Sequence, residues 1–157
     1  MNDETSTARD VMDPHPSLLQ ATDKITDGVR IIMEHRYRNL PVVDDAGRFL
    51  GVFGVNCLIR TVLPKAVLVK DGLKTVPFVR ESLRDLRQRL ADVENEPVTY
   101  CLSEDIPVVH PDTALLETLL VLYHNRISIP VVEKDSGLLV GMISYFDVGE
   151  RILAQEL

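Results

Sequence analysis

The segment NLPVVDDAGRFLGVF (Asn39–Phe53) recurs as SIPVVEKDSGLLVGMI (Ser128–Ile143). Pro41, Val42 and Val43 match Pro130, Val131 and Val132 at a spacing of 89 (130 − 41), and Gly51 matches Gly141 at 90 (141 − 51). The change of spacing falls in the turn, where a duplication tolerates an added residue. Running backwards at 89, His35 falls on His124 and Asp23 on Asp112, and VMDPHPSLLQATD aligns with YCLSEDIPVVHPD. A duplication of this length constrains the fold strongly. One copy buries too little surface to be stable alone, so the two must share a core.

Each copy reads as strand–helix–strand–strand–helix. Short strands are predicted at Leu18–Gln20 and Ile106–Val109. Asp23 and Asp112 stand before apolar-periodic segments, in the position of helix N-caps. Val29, Ile32 and Met33 share one face of the first helix. Leu115, Leu116, Leu119, Leu120 and Leu122 give the second a broader apolar surface, which predicts deeper burial. LPVV and IPVV read as short buried strands opening at or near a proline, and DDAG and KDSG as hairpin turns. Return strands follow, then terminal helices at Val55–Leu63 and from about Phe146 to Glu156. The division is residues 1–66 for repeat 1, 67–97 between repeats, and 98–157 for repeat 2.

Composition narrows the function. Aromatic residues are 5% of the chain and tryptophan is absent, so the core is aliphatic. A net charge of −7 disfavours nucleic acid and anionic membranes as partners. The polar start MNDETSTARD has no signal-peptide character, and the longest apolar run, ALLETLLVLY, is interrupted by Glu117. Cys57 and Cys101 have no metal-binding spacing and read as reduced, packed thiols of a cytoplasmic protein.

The duplicated [L/I]PVV–turn–Gly–Gly pattern, closed by GMISYFD (Gly141–Asp147), resembles a tandem pair of cystathionine-β-synthase-type (CBS) domains. The resemblance covers about residues 9–63 and 98–157. It implies a mixed α and β fold of two β-α-β-β-α repeats, packed sheet to sheet about a pseudo-twofold axis: a Bateman module. It further implies a stand-alone regulatory unit that binds an adenosine-type ligand (AMP, ADP, ATP or S-adenosylmethionine), requires no cofactor, and assembles as a homodimer.

By that resemblance Ser144 contacts phosphate and Asp147 holds the ribose hydroxyls. The chemistry suits the residues. A strand-to-helix corner leaves backbone N–H groups facing an anion, a hydroxyl donates to phosphate, and a carboxylate accepts from two hydroxyls. Ser144-x-x-Asp147 is also the pattern of a capping box, which needs no ligand. The resemblance places the adenine slot at Ile106, Pro107, Ile129 and Pro130, residues that serve equally as core. At the matching corner of repeat 1, Gly54 and Cys57 lack the hydroxyl and the carboxylate, so one working and one degenerate site are expected.

Other residues carry weaker signals. The repeat relates His35 to His124, which argues for a shared structural role over metal binding, and His15 and His110 have no ligand spacing. HRYR (His35–Arg38) is a basic knot that reads first as a solvated helix C-terminus and second as a group meeting phosphate from the opposite copy. Arg151 lies one turn after Asp147 and can pair with it or approach the phosphates. No nucleophile–base set, P-loop or metal set is present, so an enzyme is not expected. No element is predicted over VLPKAVLVKDGLKTVPF. A helix is predicted from Val79 to Val93, with Leu83, Leu86, Leu90 and Val93 as an apolar stripe that either lies on its own domain or meets a partner. A ligand-free interaction scaffold built on the paired repeats and this helix is the alternative function.

Overall fold

The structure, a computed structural model, describes residues 5–69 and 80–157. Val79 and most of the stretch without a predicted element lie outside the described residues. Repeat 1 comprises α1 (Ala8–Val11), β1 (Leu19–Gln20), α2 (Ile25–His35), β2 (Asn39–Val43), β3 (Phe49–Gly54) and α3 (Val55–Val62). A short α4 (Lys65–Leu68) and α5 (Leu83–Val93) follow. Repeat 2 comprises a 3-10 turn (Val98–Cys101), α6 (Leu115–Asn125), β4 (Ile129–Val132), β5 (Leu139–Ile143) and α7 (Tyr145–Leu153).

The sheets repeat one design. β1 runs parallel to β2, and β2 antiparallel to β3. β4 pairs antiparallel with β5, and the place of β1 is taken by a single parallel bridge, Val109 to Val131. The strand expected at Ile106–Val109 is therefore reduced to its last residue. Pro107 has no N–H for a ladder, and pairing begins only where the Val109 N–H reaches the Pro130 carbonyl at 3.0 Å. Both hairpins carry a register shift at the same place, between Val42 and Val43 and between Val131 and Val132. Both turns use a glycine at positive φ, Gly47 at 83° and Gly137 at 74°.

The leading segment of each repeat crosses to the other repeat. Asp13 pairs with Met142 of β5, and Ser103 pairs with Val52 of β3. The two cores are completed by the same exchange. Val98 and Cys101 pack with Leu19, Leu40 and Phe53 of repeat 1, while Ala8, Val11 and Met12 pack with Ile129, Val131 and Ile143 of repeat 2. Each crossing is tight at a glycine: Gly51 in repeat 1, where a Cβ would stand 2.6 Å from the Ser103 carbonyl oxygen, and Gly141 in repeat 2. A Cβ at Gly141 would stand 2.7 Å from the Met12 sulfur and 2.8 Å from the Asp13 carbonyl oxygen. Its missing side chain makes room for the crossing segment.

These pairings correct the alignment. Asp13 matches Ser103 and Met142 matches Val52 at 90, while Val42 and Val131 correspond at 89. Each long helix has 11 residues, Ile25–His35 and Leu115–Asn125, again 90 apart. His35 thus corresponds to Asn125, not His124, and repeat 1 takes one more step from the helix end to the matching strand position, seven from His35 to Val42 (42 − 35) against six from Asn125 to Val131 (131 − 125). The N-caps are Lys24 and Ala114, not Asp23 and Asp112. Asp23 instead closes the preceding turn, accepting from the Gln20 N–H at 2.8 Å, and Thr113 does the same for the His110 N–H at 2.9 Å.

Burial departs from expectation on both helices. Ile25, Gly28 and Ile32 form the buried face of α2, while Met33 is exposed. On α6 only Thr118 and Leu122 are fully buried, with Leu115 and Val121 packed partly against the core. Leu116, Leu120 and Tyr123 are 76%, 56% and 70% exposed. They lie at i, i+4 and i+7, a face turned away from the repeat core. Helix α5 begins at Leu83, capped by Ser82, and lays Leu90 and Val93 against the core of repeat 1 while Leu83 stays exposed. Arg89 fixes it further, donating to the Val62 carbonyl at 3.2 Å and pairing with Glu81.

Cys57 and Cys101 form a disulfide, with their Cα atoms 5.7 Å apart. The reading of both as reduced thiols is corrected by the crossing. Cys101 sits on the leading segment of repeat 2, which the fold lays against α3, and this brings together residues separated by 44 positions.

Candidate functional site

Strand β5 ends at Ile143 and α7 begins at Tyr145, leaving Ser144 as an extended N-cap (φ −110°, ψ 167°). The corner is closed by a reciprocal set of bonds. The Ser144 N–H and hydroxyl both donate to Asp147 Oδ2, at 2.7 and 2.8 Å, and the Asp147 N–H donates to Ser144 Oγ at 3.2 Å. Ser144 and Asp147 are thus brought together as a capping box. Asp147 Oδ1 takes no part in these three bonds, so the carboxylate keeps acceptor capacity beyond the cap.

This corner opens into a cleft of about 850 Å³. Ser144, Tyr145, Phe146 and Asp147 form one wall, and the opposite wall comes from repeat 1. Tyr145 is held in place by its hydroxyl, which donates to the Leu122 carbonyl at 2.8 Å. Arg36, Arg38 and Arg126 line the cleft with His35, against the two carboxylates of Asp13 and Asp147. Arg36 and Arg126 are the residues that end α2 and α6 in the left-handed conformation, at φ 58° and 55°. His35 stacks on Tyr37, with ring centroids 5.2 Å apart. The basic knot His35–Arg38 therefore faces the Ser144 corner of the other repeat.

The four residues assigned to an adenine slot are not in this cleft. Ile129 and Pro130 are buried in β4, and Ile106 and Pro107 are half-buried in the leading segment of repeat 2. Their counterparts in repeat 1 line it instead: Pro16 and Ser17 at a spacing of 90, Leu40 and Pro41 at 89. The reason is the exchange of leading segments, which puts the Ser144 corner against the strand and loop of the opposite repeat. The sequence held the signal, because the same spacing that relates the repeats converts one set into the other. Arg151 does not line the cleft. It borders a smaller cavity of about 350 Å³ with Glu150 and Asp13.

The matching corner of repeat 1 is built differently. Gly54 caps α3 with no side-chain bond, and Cys57, the counterpart of Asp147, is tied to Cys101. A Cβ at Gly54 would lie 2.9 Å from the Arg38 carbonyl oxygen, which already accepts the Val55 N–H at 2.9 Å. The repeat-1 loop thus presses its backbone into the place that a serine side chain would need. No group of three or more metal-ligating side chains occurs among the described residues.

A family model described as CBS domain matches residues 8–63 and 90–154. The chain belongs to the CBS domain family. Its paired CBS repeats align over 98% of the chain, at 22% identity, with 95% of the uncharacterized protein MJ1426 of Methanocaldococcus jannaschii. In fold, the CBS pair is similar to the crystal structure of AcuB from Vibrio cholerae, with a TM-score of 0.70 at 20% identity, covering 96% of this chain and 92% of that one. It is also similar to the Arabidopsis thaliana CBS-pair protein CBSX2 crystallised in complex with AMP. That TM-score is 0.67 at 20% identity, covering 94% of this chain and 96% of the other.

Proposed function

We propose that this CBS pair is a regulatory module that binds one adenosine-type ligand in the Ser144–Asp147 cleft. The observation that carries this reading is the composition of the cleft: a serine–aspartate corner lined together with three arginines and a set of apolar and aromatic side chains. Asp147 receives the ribose hydroxyls through Oδ1, and Arg36, Arg38 and Arg126 meet the phosphates. Pro16, Tyr37 and Ile127, which line the cleft and keep accessible surface, give the apolar face for adenine. The complex of CBSX2 with AMP supports the ligand class. The repeat-1 corner takes no ligand of this kind, because it lacks both functional groups. Self-association is part of the proposal, through the exposed apolar face of α6.

Thermal shift with AMP, ADP, ATP and S-adenosylmethionine tests the reading. A ligand specific to the folded state stabilises it by about 2.7 kcal/mol at a hundredfold excess over Kd. The expected result is a shift in the native protein that is lost in Asp147→Ala, each protein being compared with its own unliganded melt to remove the cost of the cap. Equal shifts in both proteins, or none with any of the four, refute the site. The scaffold alternative predicts no ligand shift and unchanged partner binding in Asp147→Ala.

A further inference from the structure

The Cys57–Cys101 disulfide occupies the position in repeat 1 that the Asp147 carboxylate occupies in repeat 2. It joins the first turn of α3 to the leading segment of repeat 2, at the crossing where Val52 and Ser103 exchange backbone hydrogen bonds at 2.9 Å. The twin crossing, where Asp13 and Met142 exchange theirs at 2.8 and 3.0 Å, has no covalent tie. Arg60, one turn beyond Cys57, places a guanidinium nitrogen 3.0 Å from Cys101 Sγ. Both sulfurs belong to buried residues, and Tyr100, next to Cys101 in the chain, is 61% exposed.

We propose that Cys57–Cys101 is a redox latch, which when oxidised pins the leading segment of repeat 2 to α3 and when reduced by a dithiol releases it. The thiolate of the dithiol attacks Cys57 Sγ. The Cys57–Cys101 bond breaks, and its electron pair leaves on Cys101 as a thiolate that the Arg60 guanidinium stabilises. The second thiol of the reductant then displaces Cys57. The protein gains two electrons and two protons, and the dithiol becomes a disulfide. Release acts locally on the amides of Ser103 and Val52. It acts also on Val55, whose N–H is held by the Arg38 carbonyl at the edge of the cleft.

The experiment is native-state hydrogen exchange on the whole chain with and without dithiothreitol, combined with thiol counting. The oxidised protein is expected to show no free thiol after denaturation without reductant. After native reduction it should show two, and its melting temperature should fall by about 10 °C. Exchange at Val52, Ser103 and Val55 should rise by about tenfold or more on reduction, while Asp13 and Met142 serve as the unlatched internal control and stay unchanged. Cys57→Ser/Cys101→Ser should show fast exchange with or without reductant, and Arg60→Gln should slow native reduction several-fold. The latch is overturned by two free thiols in the air-oxidised protein, by a bond that dithiothreitol reduces only after unfolding, or by equal acceleration at both crossings.

Discussion

Replacing Gly54 with serine would give the repeat-1 corner the hydroxyl that its twin carries. The structure predicts a loss of stability and no gain of a site. The new Cβ would stand 2.9 Å from the Arg38 carbonyl oxygen, 3.4 Å from the Asn39 Cβ and 3.7 Å from the Asn39 Cα. The nearest atom is backbone, and it is held by the Val55 N–H, so relief requires the loop to retreat and that bond to lengthen. Forcing extra volume into such a contact costs about 1–3 kcal/mol. The gain from a serine rather than a glycine N-cap is only about a few tenths of a kcal/mol, so the contact wins. For a chain of this size each kcal/mol moves the melting temperature by about 2–4 °C, which puts the expected fall at about 2–10 °C. Urea denaturation followed by circular dichroism gives the free energy, and calorimetry the melting temperature. The converse change, Ser144→Gly, should cost about a few tenths of a kcal/mol, the difference between a serine and a glycine N-cap. If Gly54→Ser leaves stability unchanged or raises it, the Arg38 loop yields freely and the steric account of the missing hydroxyl is wrong.

Two further outcomes follow from local features. The carboxyls of Asp44 and Asp85 are held below the usual aspartate range by backbone N–H groups, of Arg48 and Ser82 respectively, so their contribution to stability is present above the unfolded-state value near 3.8 and is lost as pH falls through the depressed folded values; acid titration of Asp85→Asn should show a shallower decline than the native chain. Leu120→Lys places a charge in the exposed face of α6; sedimentation velocity should show a shift toward monomer while the urea midpoint changes by less than about 0.5 kcal/mol equivalent.

The repeat, the order of elements and the Ser144–Asp147 corner were legible because they depend on local patterns: period-2 apolar runs, turn glycines, and a serine three residues before an aspartate. What escaped the sequence depends on contacts between repeats. Ile129 and Pro130 were assigned to the Ser144 site by the family resemblance, within the same repeat as the corner. The residues that line it are Leu40 and Pro41 of β2, in the opposite repeat. The disulfide was hidden by the exchange of leading segments, since nothing local brings residues 57 and 101 together. Leu116 and Leu120 were misread for another reason. Apolar content on a helix predicts that a face will be covered, but not that the cover comes from within the same chain. His35 and His124 were paired by identity, although the helix bounds set His35 against Asn125.

The exchange of leading segments also sets an order of events during synthesis. Asp13 finds its partner only when Met142 has been made, 129 positions later (142 − 13). At about 5–20 residues per second, that wait is about 6–26 s. Over this interval Ala8, Val11 and Met12, which end in the core of repeat 2, have nothing to pack against. Repeat 1 meanwhile lacks Val98 and Cys101, so neither core can close before the ribosome has passed into the second copy. The nascent chain therefore exposes two half-built apolar surfaces at once, and their meeting is the step at which a second nascent copy could substitute for the missing half.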